Sequence, residues 1–423
     1  MMRSGYQRLG DYIKEVKLKN NNLEATLLLG INIDKFFMPS VANVIGTDMS
    51  NYKVVKKQQF ACNRMHVGLD YRIPIALSDK EVPFIVSPAY DVFEIIDKTV
   101  LLPEYLMMWF SRKEFDRNAW FYTDADVRGG LAWKAFCGMQ LPIPSPEKQR
   151  EIVKEYNAIQ NRIKLNNQLI SKLEETAQAI YKQWFVDFEF PDENGLPYKS
   201  NGGEIIWCEK LGRDVPIGWK IGSLSEIIDV IDGDRGNNYP SSDDMTDTGH
   251  CVFLNAGNVT KFGFDFSNVC FISELKDKLL RKGKLKRNDV IITTRGTVGN
   301  VAYYSEPISF DHIRINSGMV ILREKGIEGS NIFIYSMLRN KDMRILIENY
   351  LSGSAQPQLP IRDLIKIPVI IPSNYVLVKF SRSAIKIQTE VDIYKTQNLK
   401  LNDFVNLLLS KMTKVGISEV VVI

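Results

Sequence analysis

Apolar residues recur at alternating spacings of three and four between residues 146 and 185. The series runs Ile152, Tyr156, Ile159, Ile163, Ile170, Leu173, Ala177, Ile180 and Trp184, with Asn166 in the one vacant position. The segment has no Gly, and its only Pro is Pro146, which suits the first turn of a helix. A heptad pattern sustained over four heptads predicts one long helix that packs against a partner helix.

A partner helix is found in the same chain when 228 is added to each position. The second series is Phe380, Ala384, Ile387, Val391, Tyr394, Asn398, Leu401, Val405, Leu408 and Met412. The same offset matches Leu131 to Leu359 farther upstream. Near the two starts, residues 8–13 match residues 223–228 at an offset of 215, so the second copy is longer by thirteen residues (228 minus 215). The pattern predicts an internal repeat of globule, helix, globule and helix.

The bodies of the globules contain short β-rich runs between clusters of Gly, Pro, Asn and Asp. These runs are residues 27–33, 83–86, 289–294 and 318–322. A helix is expected near the end of each globule, over residues 103–117 and 330–349. The predicted fold class is α+β, with two mixed α/β globules related by a pseudo-twofold axis and two long helices packed as an antiparallel coiled coil. The expected domains are residues 1–144, 145–200, 201–372 and 373–423.

This architecture has a geometric consequence for function. The seam from Ile152 to Trp184 covers 33 positions, or about 50 Å of helix, which equals roughly 15 steps of duplex DNA. Two globules held by such a spacer can read two short DNA half-sites about one helical turn apart. Because the globule bodies differ in sequence, the half-sites should differ too. The alternative interpretation is a non-catalytic coiled-coil scaffold or adaptor protein.

Composition narrows the class of protein. The chain has 423 residues, 45% hydrophobic and 25% charged, which indicates several folded domains. Its net charge is only +4, so a nucleic-acid surface must be a local patch, and the densest basic run is residues 276–287. Five cysteines without a paired motif and three histidines argue against a disulfide framework or a structural zinc site. No apolar stretch approaches the roughly 18 residues of a membrane span, and the start lacks a secretory signal, so we expect a cytoplasmic protein with no membrane partner.

Sequence motifs for catalysis are absent. The chain has no P-loop, no HExxH or EF-hand pattern, no GxSxG elbow and no Rossmann glycine fingerprint. A Glu-x-Lys spacing at residues 274–276 overlaps the start of the basic run, and no upstream Pro-Asp pair accompanies it. The sequence therefore predicts a recognition protein that has no catalytic residues and binds no cofactor or metal.

Several segments resemble the DNA-specificity subunits of type I restriction-modification enzymes. The resemblance is close in the helical regions, at residues 141–152, 174–188 and 214–219, and extends to the globules at residues 45–55, 286–296 and 352–359. It covers essentially the whole chain and lies mainly in the order of its pieces, two target recognition domains alternating with two helical regions. One departure is the second helical region, which lacks the Pro146, Gln149 and Ile152 spacing of the first.

The resemblance implies a subunit without catalytic activity of its own. It implies that double-stranded DNA is bound by this chain together with two modification subunits, which bind S-adenosylmethionine and methylate adenine. Restriction subunits that use ATP and Mg²⁺ are also implied, so these cofactors are expected on partner subunits only.

Residues expected to contact DNA are the basic and amide side chains of the two globule bodies. In the first globule they are Lys53, Lys56, Lys57, Arg64, Tyr71, Arg72 and Arg128. In the second they are Arg235, Lys261, Lys284, Lys286, Arg287, Arg295, Ser354 and Gln356. We single out Arg295, because a predicted strand delivers it to a turn beside Gly296, where DNA can approach closely. Trp120, Trp133 and Trp207 are expected in the core rather than at the DNA.

The seam is expected to set the geometry. Its predicted members are Ile152, Tyr156, Ile159, Ile163, Asn166, Ile170, Leu173, Ile180, Ile387, Val391, Asn398, Leu401 and Leu408. Asn166 and Asn398 are polar positions in an apolar seam and should fix register and orientation. We expect the outer faces of the helices to dock the modification subunits, while the seam sets the half-site spacing.

Overall fold

The computed structural model describes residues 5–41, 46–65, 67–123, 129–209, 212–353 and 356–414. The chain divides into two compact units: unit 1 joins Met1–Ile163 to Leu401–Ile423, and unit 2 is Lys164–Lys400. Both divisions fall inside long helices, whereas the sequence pattern changes at residues 144, 200 and 372. Each unit therefore contains one globule and a part of both long helices.

Unit 1 is built from short strands and helices. Its strands are β1 (Tyr6–Arg8), β2 (Ile13–Val16), β3 (Leu29–Ile31), β4 (Phe37–Pro39), β5 (Lys53–Val55), β6 (Phe60–Cys62), β7 (Ile75–Leu77), β8 (Phe84–Val86), β9 (Asp91–Ile95) and β10 (Gln140–Pro142). Its helices are α1 (Val67–Asp70), α2 (Pro103–Phe110), α3 (Lys113–Phe121), α4 (Trp133–Gly138) and the first part of α5 (Pro146–Phe185). Short 3-10 turns occur at Leu9–Asp11, Met49–Asn51 and Met412–Lys414.

The main sheet of unit 1 has four strands in the order β2-β9-β6-β7, each antiparallel to its neighbour. Phe60 and Phe93 lie opposite each other on β6 and β9, and their rings stack with centroids 5.0 Å apart. Phe110 of α2 and Phe136 of α4 pack edge-on against them. The core is thus an aromatic layer between the sheet and the helices.

Gln149 fixes the start of α5. Its fully buried amide donates to the carbonyl oxygens of Val100 (2.7 Å) and Pro144 (2.9 Å) and accepts from the amide of Leu102 (2.8 Å). A buried polar group is tolerated only when it is paired in this way. The position 228 residues later is Leu377, which is buried by apolar packing instead. The second helical region thus has a buried leucine where the first has a buried, hydrogen-bonded glutamine, and this difference accounts for its departure from the pattern of the first.

Unit 2 has the larger globule. Its strands are β11 (Ile205–Cys208), β12 (Arg213–Pro216), β13 (Lys220–Ser223), β14 (Ile228–Asp232), β15 (Cys251–Leu254), β16 (Val259–Thr260), β17 (Gly263–Phe264), β18 (Cys270–Ile272), β19 (Val290–Thr293), β20 (Val301–Tyr303), β21 (Ile313–Ile315), β22 (Met319–Glu324) and β23 (Pro368–Ile371). Its own helices are α6 (Glu274–Leu279), α7 (Ser330–Arg339), α8 (Lys341–Glu348), α9 (Ile361–Leu364) and α10 (Asn374–Lys411), the last of which ends in unit 1. Short 3-10 turns occur at Leu224–Glu226, Ser242–Asp244 and Ala256–Asn258.

The two units repeat one topology. The main sheet of unit 2 has the order β14-β22-β19-β20, all antiparallel, which matches β2-β9-β6-β7 strand for strand. The pair β13–β23 likewise matches β1–β10. Unit 2 adds a three-stranded sheet, β18-β15-β21, in which β15 and β21 are parallel. The predicted fold class, with an internal repeat and mixed α/β globules, is confirmed.

The prediction of single helices over residues 103–117 and 330–349 is wrong. Each segment forms two helices, α2 with α3 and α7 with α8, separated at Arg112 and Asn340. Both residues have extended backbone, with ψ of 138° and 143°. Asn340 caps α8 by accepting a hydrogen bond from the amide of Asp342 (3.0 Å), which favours a new helix start over continuation.

The long helices pair within each unit. In unit 2, α5 and α10 run antiparallel: Asn166 contacts Asn398, Glu174 pairs with Lys395 at 3.3 Å, and the Trp184 ring lies 5.8 Å from Phe380. In unit 1, Ile152 joins the same core cluster as Leu409 of α10 and Met412 of the 3-10 turn that follows it. The predicted seam residues are buried or half-buried at every position.

Candidate nucleic-acid interface

In unit 2, the turn after β19 presents Arg295 on a frame of backbone hydrogen bonds. The amides of Thr294 and Arg295 both donate to the carbonyl of Gly318, at 2.8 and 3.1 Å. The carbonyl of Thr294 accepts from the amide of Leu359 (3.0 Å), and Arg295 forms an isolated antiparallel bridge with Gln358. The backbone of Arg295 is thus fixed from two sides while the residue itself is exposed.

Arg235 lies beside the same segment. It is exposed, and its guanidinium contacts the carboxylate of Asp232 (3.2 Å) and donates to the carbonyl of Ser317 (3.3 Å). Gly233 permits this approach, because a Cβ there would lie 2.3 Å from the carbonyl oxygen of Asn316. Residues 316–318 therefore bring Arg235 and Arg295 to one edge of unit 2.

Asp234 connects this edge to the basic run of residues 276–287. Its carboxylate accepts from the amides of Gly236 (2.8 Å), Arg281 (2.7 Å) and Lys282 (3.3 Å). These backbone donors, that of Gly236 first, hold the pKa of Asp234 below its ordinary value. Arg281 and Lys282 are exposed and lie next to Arg235 as a result.

A buried ion pair anchors the same run from inside. The guanidinium of Arg314, which is 5% exposed, pairs with Asp277 and donates to the carbonyls of Lys282 (2.7 Å) and Leu280 (3.0 Å). Burial alone would raise the pKa of Asp277, but hydrogen bonds from Lys284 and Arg314 lower it below the ordinary value. Arg314 thus holds the run in place from inside the protein, while Arg281 and Lys282 point to solvent.

We call the exposed residues at this edge the unit 2 loop cluster. Its members are Arg235, Arg281, Lys282, Arg295 and Gln356, the last of which lies on the exposed segment that pairs Ser352 with Gln358. Arginine and amide side chains are the groups that make bidentate contacts with guanine and adenine edges. The cluster can therefore both hold phosphates and read bases.

The other predicted residues of unit 2 lie outside the unit 2 loop cluster, and some of them are held by contacts within the protein. Lys284 pairs with Asp277, and Arg287 donates to the carbonyls of Ser305 and Ile308 (both 2.9 Å) and to Asp311 (2.9 Å). Lys286 is exposed on the turn before β19, and Lys261 lies over the Phe262 ring on the β16–β17 hairpin, with Nζ 5.0 Å from the ring centroid. Ser354 is outside the described residues.

Unit 1 has a matching backbone hydrogen bond at the corresponding turn, but it has a different side chain at the position of Arg295. The carbonyl of Arg64 accepts from the amide of Leu131 (2.9 Å), as the carbonyl of Thr294 does from Leu359. Strand pairing aligns β6 with β19, so Met65 is the counterpart of Arg295. The Arg64 guanidinium turns inward, where it pairs with Asp91 at 2.6 Å and lies 5.5 Å from the centroid of the Trp133 ring.

The remaining predicted residues of unit 1 occupy two places. Lys53, Lys56 and Lys57 lie on and after β5, where Lys53 donates to the carbonyl of Tyr90 (2.5 Å) and Lys57 pairs with Glu81. Tyr71 and Arg72 lie after α1, and Arg72 pairs with Asp34 at 2.9 Å. Arg128 is outside the described residues.

Some candidate residues were missed by reasoning from the sequence. Arg281 and Lys282 belong to a run whose density was noted, yet only contact with Asp234 separates them from their neighbours. The expectation that Trp120 and Trp207 lie in the core is wrong, since they are 44% and 64% exposed. In α3 the buried residues Phe115 and Ala119 lie four positions apart, so helical spacing places Trp120 outside the buried face and could have indicated its exposure.

Part of the chain matches a known protein family. Residues 216–379, which contain the whole unit 2 loop cluster, match the family described as type I restriction modification DNA specificity domain. The curated relatives of the chain are type I restriction enzyme specificity subunits, and the resemblance predicted from the sequence is confirmed.

Individual relatives are distant. The type I restriction enzyme HindI specificity subunit of Haemophilus influenzae is 24% identical over 440 residues, covering 90% of this chain and 91% of that protein. The MjaIX specificity subunit of Methanocaldococcus jannaschii is 25% identical over 291 residues, covering 68% of this chain but only 62% of the relative. The crystal structure of a type I S subunit from M. genitalium shares the fold, with a TM-score of 0.58 and 16% identity over 97% of this chain and 96% of that one.

Two further findings concern the described residues alone. Within them, no group of His, Cys, Asp and Glu side chains is arranged to hold a metal ion. None of the helices in the described part of the chain is long and apolar enough to cross a membrane.

Proposed function

We propose that this chain is the sequence-specific, double-stranded DNA recognition subunit of a type I restriction-modification complex. The observation that carries the proposal is that each unit, taken by itself, has an edge built in the same way. In each, the turn after the third strand of the main sheet is bonded to the segment that enters the next helix, through Leu131 in unit 1 and Leu359 in unit 2. One frame used twice with different side chains suits the reading of an asymmetric, bipartite site.

The proposal includes partners and chemistry that reside elsewhere. Two modification subunits would bind S-adenosylmethionine and methylate adenine at the sites this chain selects, and restriction subunits would use ATP and Mg²⁺ for cleavage. The chain itself would act as a non-catalytic cytoplasmic subunit. Its contribution is binding energy and register: lysines and backbone amides position the phosphates, and arginines and amides read the base edges.

A host that expresses this chain with its modification subunit provides the test. Long-read sequencing of the host genome should reveal one bipartite adenine-methylation motif with two different halves. Absence of any such motif, with the complex assembled, would contradict the proposal and favour the scaffold. Cleavage of DNA by the purified chain with Mg²⁺ alone would indicate a nuclease instead.

A further inference from the structure

Unit 1 exposes a cluster of aromatic side chains where α3 ends. Tyr71, Trp120, Phe121 and Tyr122 are 61%, 44%, 77% and 52% exposed, and we call these four residues the aromatic platform. The rings of Tyr71 and Trp120 contact each other at 5.3 Å, as do those of Phe121 and Tyr122 at 5.4 Å. Contiguous exposed aromatic surface on a folded domain marks an interaction site.

The platform is held rigidly from below. Asp116 of α3 is buried, pairs with Lys35 at 2.7 Å and accepts a hydrogen bond from the amide of Ile73 (3.2 Å). This contact ties the loop that carries Tyr71 to the helix that carries Trp120. Tyr71 itself has a left-handed backbone, with φ of 57°, a conformation that persists only where surrounding contacts enforce it. Rigid aromatic groups lose little conformational entropy on binding.

The platform lies at the edge of unit 1 that corresponds to the unit 2 loop cluster. Tyr71 belongs to the connection between β6 and β7, the counterpart of the β19–β20 connection that carries Arg295. Trp120 and Phe121 end the helix that precedes the return to Leu131, as α8 precedes the return to Leu359. The positions 228 residues after them are Glu348 and Asn349, so Trp120 and Phe121 have no aromatic counterpart in unit 2, whereas Tyr122 corresponds to Tyr350.

The charges around the platform suit a polyanion. Arg72 and Arg117 lie next to it in sequence, with side chains 42% and 74% exposed. Each pairs at the surface with an acid, Asp34 and Glu114 respectively, while Arg72 Nε also lies 3.8 Å from the buried carboxylate of Asp116. Surface ion pairs of this kind are weak, so phosphate groups can displace the acids.

We infer that the aromatic platform contacts DNA bases in the half-site read by unit 1, with Phe121 as the ring that enters a base step. Apolar side chains that wedge between base pairs unstack them and kink the duplex, and they favour flexible steps. Unit 1 thereby reads its half-site partly through DNA deformability, whereas unit 2 reads through arginine and amide groups. The inference rests on the proposed function.

The test uses the assembled complex of the full chain with its modification subunits, and duplexes that carry 2-aminopurine at single positions of the mapped site. Phe121→Ala should weaken binding roughly tenfold and abolish the fluorescence increase that reports unstacking. Phe121→Tyr should retain both. Val82→Ala, at a residue 73% exposed on another turn of unit 1, is the matched control and should change neither. Melting temperatures of all variants should agree, because the substituted side chains are exposed.

The outcomes separate the inference from the proposed function. Arg295→Ala identifies the half-site read by unit 2, and the Phe121 effect must fall on the other half. Unchanged binding and fluorescence with Phe121→Ala would overturn the inference while the bipartite motif stands. Loss of subunit assembly with normal DNA unstacking would also overturn it and assign the platform to a protein partner. Absence of a bipartite motif with the unaltered chain would instead overturn the proposed function.

Discussion

The side-chain amide of Asn166 donates to the side-chain oxygen of Asn398 at 2.9 Å, in the seam between α5 and α10 of unit 2. Asn398 donates in turn to Asn167 at 2.8 Å. Asn166 is fully buried, and its own side-chain oxygen has no hydrogen-bond partner among the described residues. A pair of this kind costs stability but restricts two helices to one register, which an all-apolar seam does not.

The first prediction concerns this pair. Asn398→Leu should destabilise unit 2 by about 1–3 kcal/mol, because it leaves the buried amide of Asn166 without its best acceptor. The double variant Asn166→Leu with Asn398→Leu should recover most of that loss. Urea unfolding of both single variants and the double variant measures the coupling. Additive effects in this cycle would show that the two side chains do not act as a pair, and Gln168→Ala, at an exposed position of the same helix, serves as the control.

The second prediction is a pH dependence at the unit 2 loop cluster. Backbone donors lower the pKa of Asp234 in the folded chain, so its stabilising effect is complete above the ordinary pKa of 3.8 and disappears as pH falls through the lower folded value. Asp234→Asn should therefore lower the melting temperature at pH 7, and the difference from the unaltered chain should shrink below about pH 4. Melting curves between pH 3 and pH 7 check this. A difference that does not vary with pH would exclude the charge as the cause.

The third prediction tests the turn of unit 1. The amide of Gly68 donates to the carbonyl of Gly129 (2.8 Å), and a Cβ at Gly68 would lie 2.7 Å from the Cα of Gly129. Gly68→Ala should force the two loops apart, cost about 1–3 kcal/mol and alter the methylated sequence in one half-site only. Gly138→Ala is the control, since a Cβ at that position meets nothing within 4 Å. Changes in both half-sites would contradict a local effect.

The fourth prediction concerns the long helices. Four residues inserted after Gln168 would lengthen α5 by about 6 Å, or roughly two base steps of duplex DNA. If the helices set the distance between half-sites, the spacer in the methylated motif should change while both half-sites stay the same. The same insertion after Gly195, in an exposed turn outside the helix, should leave the spacer unchanged. Spacers of equal length in both variants would contradict a role of the long helices in setting the distance between half-sites.

Much of the fold was accessible from the sequence because it rests on periodicity. The heptad positions and the offset of 228 depend on which residues are apolar, and burial of those residues is what forms the helix pair and the repeated sheet. The break at Asn340 was not accessible, because it depends on a cap that competes with an otherwise acceptable helix. Residues that form the core are thus easier to predict from the sequence than residues that end a helix.

The candidate interface was less predictable for a different reason. A basic residue in a sequence does not reveal which way its side chain points. Arg64 and Arg287 bind internal carboxylate and carbonyl groups, whereas Arg281 remains exposed because its backbone, not its side chain, contacts Asp234. Such choices are made by tertiary contacts between loops distant in the chain, and no local pattern encodes them.

If the unit 2 loop cluster reads DNA bases, substitution of Arg295 should change the recognised DNA sequence. Long-read methylation sequencing should compare hosts that carry the unaltered chain, Arg295→Ala, and Lys286→Ala as a control for general loss of positive charge. Arg295→Ala should relax one position in one half-site, equivalent to about 1–3 kcal/mol of lost discrimination, and leave the other half-site and the spacer intact. Lys286→Ala should reduce methylation without changing the motif. A motif that is identical in all three hosts would contradict the recognition of bases by this cluster.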